Sequence, residues 1–509
     1  MMRTSTFVAT LCVALAVAEN PGVKLRVTKH TLEGLERVVH RALAASGSLL
    51  PHLMNGFQTQ FPNSPIETVH SAEVTSLTQP TTDFKFQAPD KLYLHISGGR
   101  LETEIQATRR HTDIQAPITM TIADASASLI LRFSKRGAGK LGIDLQHCEA
   151  QLNTLELNVD GLYPEGVPEA LANSLATLTS RVNEMAQRSG CRLIRKELLK
   201  LRLKLMRYDM KVDMTMLGGV FPNEGYSLDL SLVDQPKATD DYLEFDISGC
   251  ISKEPATCEG VGFAPPPLVD RSNNSRMLHV FVSDAVAQRM AQAMFENGDL
   301  DRRLSAEETA PLFEKLKAKN DVMGWDFQEG DTFSIALSFP EAPNIRFTEE
   351  AGRNVQFDFK LDVSTEHKRA GVDLANVVTH VRGAGYHDMT VENTPEQEFP
   401  QILETGEITE LEILGIDNYP AAAGALTDEK KAEIAQGLKE MAQGNYDVIL
   451  ARMNALWSEG TGAEVERRIF SLLNVRDAYA HFFEHTSELA FNLKFNSTAG
   501  HHLVANVLG

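Results

Sequence analysis

Three short stretches of the chain carry residue types that could do chemistry. The first, HFFEH from His481 to His485, places two imidazoles around a glutamate as zinc hydrolases do on a helix. Only 24 residues follow it, which leaves little room for a further ligand helix. Phe482 and Phe483 are typical packing residues. We therefore favour a packing role for this stretch over a metal site.

The other two stretches resemble loops that bind calcium or phosphate. Asn297 to Glu308 offers oxygen ligands at calcium-loop spacing, but Arg302 stands where such a loop needs glycine, so a solvated helix-loop-helix is favoured. SKRGAGK, ending at Lys140, lacks the first glycine of a phosphate-binding loop and predicts a hairpin turn. No catalytic constellation emerges, so we expect no enzyme activity, cofactor or metal.

Cysteine usage and the N-terminus indicate the compartment. Residues 1–18 combine an early Arg3, an apolar run and an Ala-Val-Ala end, which is typical of a secretory signal peptide and predicts a secreted, extracellular protein. Four further cysteines allow three disulfide connectivities, of which the simplest pairs Cys148 with Cys191 and Cys250 with Cys258. A zinc site is disfavoured because the cysteines form no C-x-x-C knuckle. Glycosylation sequons begin at Asn273 and Asn496.

Charge is distributed unevenly along the chain, whose formal net charge is −20. Residues 19–250 are nearly neutral at −3, whereas residues 251–509 carry −18, so nucleic acid is not an expected partner. Residues 181–211 are the exception, with ten Lys or Arg against three Asp or Glu. This cluster is either a solvated face, which we favour, or a contact for anionic lipid headgroups.

The chain also repeats itself at an offset of about half its length. LRVTKHTLEGL (25–35) aligns with VFVSDAVAQRM (280–290) at an offset of 255, since each runs from a strand through Thr28 or Ser283 into a helix. ELNVDGLYP (156–164) aligns with EILGIDNYP (412–420) at an offset of 256. Two matches at nearly the same offset indicate a duplicated domain.

Hydrophobic periodicity gives each half the same plan and places the chain in the α+β class. Period-2 alternation predicts antiparallel strands with one buried face, and helices are expected at about 31–45, 166–187, 283–296 and 427–443. Each helix has one apolar face. These faces either plug a sheet to form a core or line an elongated apolar slot for lipid. The candidate lipid-pocket residues are Leu32, Leu35, Val39, Leu43, Leu171, Leu175, Leu178, Val182, Val286, Met290, Met294, Ile434, Leu438 and Met441.

Several distributed motifs resemble one family of secreted proteins. NPGVKLRVTKHTLEGL follows the signal, Cys148 and Cys191 bracket a strand and the long helix, and GFAPPPL precedes RMLHVFVSDAVAQRMAQAMFENGDL. Together with the terminal RDAYAHFFEHTSELAFNLKF, these resemble the bactericidal/permeability-increasing protein, lipopolysaccharide-binding protein and lipid transfer protein family. The resemblance spans nearly the whole mature chain.

This resemblance implies an elongated boomerang of two duplicated, barrel-like antiparallel β domains, each with two long helices, joined by a central sheet. It implies domains at 19–248 and 271–495, a Pro-rich linker at 249–270 and a tail at 496–509. It further implies that acyl chains of a phospholipid or other amphipathic lipid lie in apolar pockets, with exchange at a membrane or lipoprotein surface.

Two departures from the family pattern concern function. Members that bind lipopolysaccharide carry a dense lysine cluster at the first-domain tip, where this chain offers only Arg109, Arg110 and His111 beside Asp113. The second departure is the pair Cys250 and Cys258, which is an addition to the pattern. The expected function is therefore lipid binding or transfer, with an antibacterial lipopolysaccharide-binding role as the alternative.

Overall fold

The computed structural model describes most of the chain in separate segments. These are residues 20–45, 66–109, 113–158, 198–207, 225–254, 263–304, 331–369, 371–392, 401–419, 425–459 and 475–493, together with short pieces within 160–196, at 210–214 and at 258, 309 and 328. Antiparallel sheets dominate these segments and helices are few, which confirms the α+β class.

A central six-stranded sheet joins the two ends of the chain, in the order β10-β11-β1-β13-β21-β20. Its strands are β1 (Val23–Thr28), β10 (Lys237–Ala238), β11 (Tyr242–Ile247), β13 (Leu278–Ser283), β20 (Val475–Phe483) and β21 (Thr486–Leu493). Both faces of its central strands are covered: Arg26, His279 and Glu488 are buried on one face, and the Val and Leu side chains that alternate with them are partly buried on the other.

The middle of this sheet relates the two repeated segments directly. β1 pairs with β13 antiparallel, and Leu25 lies opposite Val280, the residue 255 positions later. Outside this pair, β11 follows β1 on one side and β21 follows β13 on the other, each being the second strand of a hairpin. An antiparallel pair of two strands is compatible with a local two-fold axis between them.

Two large sheets carry the remaining long strands. The first has the order β2-β5-β6-β4-β3 with β7 beside β6, from β2 (Ile66–Thr78), β3 (Thr81–Gln87), β4 (Lys91–Ser97), β5 (Arg100–Arg109), β6 (Gln115–Arg136) and β7 (Lys140–Asn158). The second, here the cavity sheet, has the order β14-β15-β17-β18-β19 with β16 beside β17, from β14 (Arg302–Leu304), β15 (Asp331–Ser338), β16 (Asn344–Phe347), β17 (Val355–Arg369), β18 (Val372–Glu392) and β19 (Gln401–Asp417).

A small three-stranded sheet and three helices complete the described elements. The small sheet has the order β12-β9-β8, from β8 (Lys211–Asp213), β9 (Tyr226–Asp229) and β12 (Ile251–Lys253). The helices are α1 (Lys29–Ala45), α2 (Asp284–Glu296) and α3 (Asp428–Glu459). Residues 191–207 are also helical wherever they are described.

Local sequence signals explain where these elements begin and turn. Ser283 caps α2, because its Oγ accepts a hydrogen bond from the Ala285 amide at 3.2 Å. Gly137–Gly139 forms the turn between β6 and β7, with Ala138 and Gly139 both at positive φ, so the predicted hairpin is confirmed. Helix α3 extends 16 residues beyond its expected end at 443, so Gly444 lies within the helix and does not end it.

Two disulfides tie distant or local segments together. Cys148 on β7 bonds to Cys191 across 43 residues, and Cys250 bonds to Cys258 across eight.

The predicted helix at 166–187 lies almost entirely outside the described residues. Within the described part of the chain, no helix is long and apolar enough to cross a membrane.

Candidate functional site

The candidate site is an apolar cavity between the cavity sheet and helix α3. Its volume is about 480 Å³, within the range of small-molecule pockets. One side chain of the lining, Tyr446, carries a polar group. The lining residues are Leu337, Phe339, Pro343, Ile345, Val355, Phe357, Phe359, Leu361, Val363, Val381, Ile408, Leu411, Leu438, Ala442 and Tyr446.

Strand alternation places these side chains on one face. Phe357, Phe359 and Leu361 are spaced by two along β17, so all point toward α3. Beneath them, Val363 and Val381 belong to a packed cluster with Phe333, Ile335, Val377 and Ile413, against which Ile434 and Leu438 of α3 lie. The cavity is therefore the part of this interface that side chains leave unfilled.

Glycines in the cavity sheet make room for the aromatic rings. A β-carbon on Gly385 would lie 2.6 Å from Phe357 Cζ, and one on Gly406 would lie 2.7 Å from Tyr446 Cε1. Gly383 stands in the same relation to the ring of Phe359. Because real β-carbons do not approach so closely, these glycines fix the positions of the rings.

Polar side chains of α3 hold the helix against β19. Gln443 Oε1 accepts from the Ile408 amide at 2.7 Å, and its Nε2 donates to the Gly406 carbonyl at 3.3 Å. Lys439 Nζ donates to the Thr409 carbonyl at 2.7 Å. These bonds use backbone groups of β19 that a sheet partner does not take, and they set the width of the cavity.

One end of the cavity is polar. The Tyr446 hydroxyl lies 3.1 Å from His387 Nδ1, and His387 Nε2 lies 3.7 Å from a carboxylate oxygen of the buried Glu404. Burial lowers the pKa of His387 and raises that of Tyr446, so neither is ionised near pH 7. The arrangement can offer a hydrogen bond to a ligand.

A second, polar cavity of about 260 Å³ lies on the opposite face of the same sheet. Arg346, Gln356 and Tyr386 line it with side chains that strand alternation directs away from Ile345, and Phe357 belongs to the lining of both cavities. Arg353 stacks over the Tyr386 ring at 4.8 Å and pairs with Glu350. These arginines therefore do not contact the contents of the apolar cavity.

The helix-face candidates fall into three groups in the structure. Leu438 lines the cavity, and Ile434 packs beside it. Leu32 lies in a packed core with Phe86, Phe133 and Phe245, while Val286, Met290 and Met294 pack with Met214, Tyr226 and Ile251. Leu35 is partly buried on α1. The side chains of Val39, Leu43, Leu171, Leu175, Leu178, Val182 and Met441 lie outside the described part.

The headgroup candidates are represented by Arg109 alone, since Arg110 and His111 lie outside the described residues. Arg109 ends β5, where its Nη1 pairs with Glu165 at 2.7 Å and its guanidinium lies 4.0 Å from the Tyr163 ring centroid. Its charge is thus already compensated. Asn273 is exposed, as a glycosylation site must be, while Asn496 is outside the described part.

The two stretches considered as metal sites have other contacts in the structure. His481 lies on β20 and His485 in the turn before β21, so the two are not one helical turn apart, and His485 Nδ1 bonds to Asp284 at 2.7 Å. Asp299 binds Lys253 at 2.6 Å and accepts from the Tyr226 hydroxyl at 2.5 Å. Among the described residues, no group of three or more His, Cys, Asp or Glu could hold a metal ion.

Sequence reasoning missed the sheet side of the cavity. It placed candidates on helices, whereas most lining residues lie on β15 to β19 and in the loop between β15 and β16. The signals were present: Phe357 and Phe359 alternate with aspartate or lysine, and Gly383-Ala-Gly385 interrupts a strand pattern. Paired glycines within a strand indicate the close approach of another group.

Similarity to known proteins is found among solved structures only. No family model matches the chain, and no curated protein matches it. Among solved structures, it is similar to lipopolysaccharide binding protein, with 13% identity and a TM-score of 0.45 over 94% of this chain and 99% of the other. It is also similar to P47 of Clostridium botulinum E1, with 9% identity and a TM-score of 0.25 over 94% and 100%. These values are too low to assign a fold, family or function.

Proposed function

We propose that the protein is a secreted lipid-binding protein that holds the acyl part of an amphipathic lipid between α3 and the cavity sheet. The observation that supports this most is the cavity lining, in which every residue except Tyr446 is apolar. Each methylene transferred from water to such a lining contributes about 0.8 kcal/mol. An apolar cavity of this size therefore favours a hydrocarbon chain over a polar metabolite.

The polar end suggests which part of the ligand stops there. The Tyr446 hydroxyl belongs to a lining residue and lies 3.1 Å from His387 Nδ1, and a hydroxyl of this kind suits an ester carbonyl or a hydroxyl of the ligand. A phospholipid with its ester linkage at Tyr446 fits this chemistry. Binding then involves desolvation and exchange with a membrane or lipoprotein surface, without covalent change, and transfer of lipid between surfaces follows if exchange is fast.

We further propose that the chain consists of two related halves, arranged as a boomerang of two barrel-like domains. The pairing of Leu25 with Val280 at the repeat offset supports this. On this proposal the first half would offer a second apolar pocket, lined by Leu171, Leu175, Leu178 and Val182. Lipopolysaccharide binding at the first-half tip remains the alternative, although Glu165 compensates Arg109.

The proposal is tested by lipid content and uptake. Solvent extraction of the purified protein, followed by mass spectrometry, should release phospholipid. The delipidated chain should then bind a fluorescent acyl-chain analogue, and phosphatidylcholine should displace it. Failure of the delipidated chain to bind any acyl probe would contradict the proposal. Tighter displacement by lipid A than by phosphatidylcholine would favour the alternative.

A further inference from the structure

The helical segment 198–207 exposes leucines where a surface helix normally carries polar residues. Leu199 is 54% exposed, Leu203 41% and Met206 38%, and Leu201 adds 42%. Half of the large apolar side chains that are exposed in the described part of the chain lie within these eight residues. An apolar patch of this kind on a soluble surface marks a contact with another molecule.

Helical spacing sorts this segment into three faces. Leu198, Arg202 and Leu205 are partly buried, and Arg202 reaches Asp144 on β7 at 3.4 Å, so this face packs on the protein. Leu199, Leu203 and Met206, at i, i+4 and i+7, form one exposed apolar stripe. The helix therefore keeps a second apolar face that no other described element covers.

A basic stripe runs beside the apolar one. Lys196, Lys200, Lys204 and Arg207 are all exposed, and they lie on the side of the apolar stripe away from the packed face. Residues 191–207 carry seven Lys or Arg and one Glu, in a chain whose net charge is −20. Arg202 pairs with Asp144, and the exposed Lys204 and Arg207 add a local excess of positive charge that suits a negatively charged partner.

Two contacts fix the orientation of this helix. Cys191 at its start is bonded to Cys148 on β7, and the Met206 carbonyl near its end accepts from Lys140 Nζ at 2.7 Å. Both anchors lie on the β6–β7 hairpin, so the two exposed stripes keep a constant direction. A fixed apolar stripe with a basic flank is suited to lying in the plane of a membrane interface.

We propose that the helical segment 198–207 forms a docking face for the surface of an anionic phospholipid membrane. Leu199, Leu203 and Met206 enter the boundary between headgroups and acyl chains, while the lysines and Arg207 contact lipid phosphates and carboxylates. The same face of a second copy would set like charges against each other, so a symmetric dimer through this face is disfavoured. The proposal does not depend on lipid uptake by the cavity, since docking requires only this helix.

Vesicle flotation of the full-length chain tests the proposal. The protein should bind phosphatidylcholine vesicles that contain phosphatidylserine as the anionic component, and bind pure phosphatidylcholine vesicles at least about tenfold more weakly. Binding to the anionic vesicles should fall at 0.5 M NaCl, where screening shortens the reach of the lysines. Equal binding to both vesicle types, or no binding, would overturn the proposal.

Two double variants test the contributions of the apolar stripe and the basic stripe separately. Leu199→Gln with Leu203→Gln removes the apolar stripe, and Lys204→Glu with Arg207→Glu reverses the basic one. Each should weaken binding to anionic vesicles by about tenfold or more, because both contributions are needed for stable attachment. Leu414→Gln and Arg382→Glu, which change exposed residues of the cavity sheet, should bind as the unmodified chain does.

Uptake of the acyl probe distinguishes a failure of the membrane-docking proposal from a failure of the proposed lipid binding in the cavity. The docking variants should retain uptake of a monomeric probe, since no altered side chain lines the cavity. If the protein bound vesicles but took up no probe, that result would contradict the proposed function and leave the docking proposal standing. Unchanged vesicle binding in both double variants would overturn the docking proposal. It would also be overturned if the unmodified chain bound no vesicles and instead formed a concentration-dependent dimer that the Leu199→Gln and Leu203→Gln changes abolish.

Discussion

Gly406 on β19 and Tyr446 on α3 approach each other so closely that a β-carbon on the glycine would lie 2.7 Å from both Cε1 and the hydroxyl of the tyrosine. The absence of a side chain at 406 lets the Tyr446 ring pack against the sheet and place its hydroxyl beside His387. The polar end of the cavity thus depends on a glycine that is not among the lining residues.

Gly406→Val is expected to destabilise the protein by about 1–3 kcal/mol, because the added atoms overpack the contact with Tyr446. It should also weaken binding of the acyl probe. Gly444→Ala is the matched control on α3, since an added β-carbon there meets no atom within 4 Å. That change should stabilise by about 0.5–1 kcal/mol through helix propensity. Urea unfolding checks both, and an unaltered Gly406→Val midpoint would contradict the packing described.

The buried guanidinium of Arg26 should be far more important for stability than a nearby exposed ion pair. Arg26 is 2% exposed and bonds to Glu244 at 2.7 Å, to Asp270 and to Asn274. Arg26→Met should cost about 3–5 kcal/mol, because buried carboxylate charge loses its partner.

Lys29 supplies the control for this change, since its pair with Asp241 is more than half exposed on both sides. Lys29→Met should cost less than about 1 kcal/mol. Chemical denaturation of the two variants measures the contrast, and similar losses in both would show that the Arg26 network does not anchor the linker at Asp270.

The two disulfides should differ in their contribution to stability. A bond that closes 43 residues restricts the unfolded chain more than one that closes eight, by about 4 against 2.5 kcal/mol on the loop-entropy relation. Cys148→Ser with Cys191→Ser should therefore lower the free energy of unfolding more than Cys250→Ser with Cys258→Ser. The opposite order in urea titrations would contradict this expectation. The first pair of changes should also weaken vesicle docking, because it releases the start of the basic helix.

His387 should make stability fall as the solution is acidified. Burial lowers its pKa in the folded chain, so the unfolded chain binds the proton first as pH falls below about 6.5. The stability of the protein relative to His387→Gln should therefore decrease from pH 7.5 to pH 5.

His380 should have the opposite effect on the pH dependence of stability. Its bonds to Asp362 and Asp417 raise its pKa, so its contribution is present below its unfolded value and is lost as pH rises. The stability of the protein relative to His380→Gln should accordingly increase from pH 7.5 to pH 5. Unfolding titrations across this range give both differences, and the same sign for the two variants would contradict the assignment.

The sequence predicts elements better than it predicts the cavity. Ser283 marks the start of α2 because a cap is a local signal, and the turn at Gly137–Gly139 is equally local. Whether an apolar helix face meets a filled or an open space depends on the other side of the interface. Leu32 and Met290 meet complementary side chains and form core, whereas Leu438 meets a sheet that leaves space. Helical periodicity is the same in all three cases.

The claim that lipid lies between α3 and the cavity sheet is tested most directly by filling that space. Ala442 lines the cavity, and Ala432 lies exposed on the same helix. The measurement is titration of the delipidated protein with a fluorescent acyl-chain probe, repeated for Ala442→Trp and for Ala432→Trp. The account predicts at least about a tenfold loss of affinity for Ala442→Trp, because the indole occupies volume that the chain would fill, and no loss for Ala432→Trp. Equal affinity in all three proteins would contradict it.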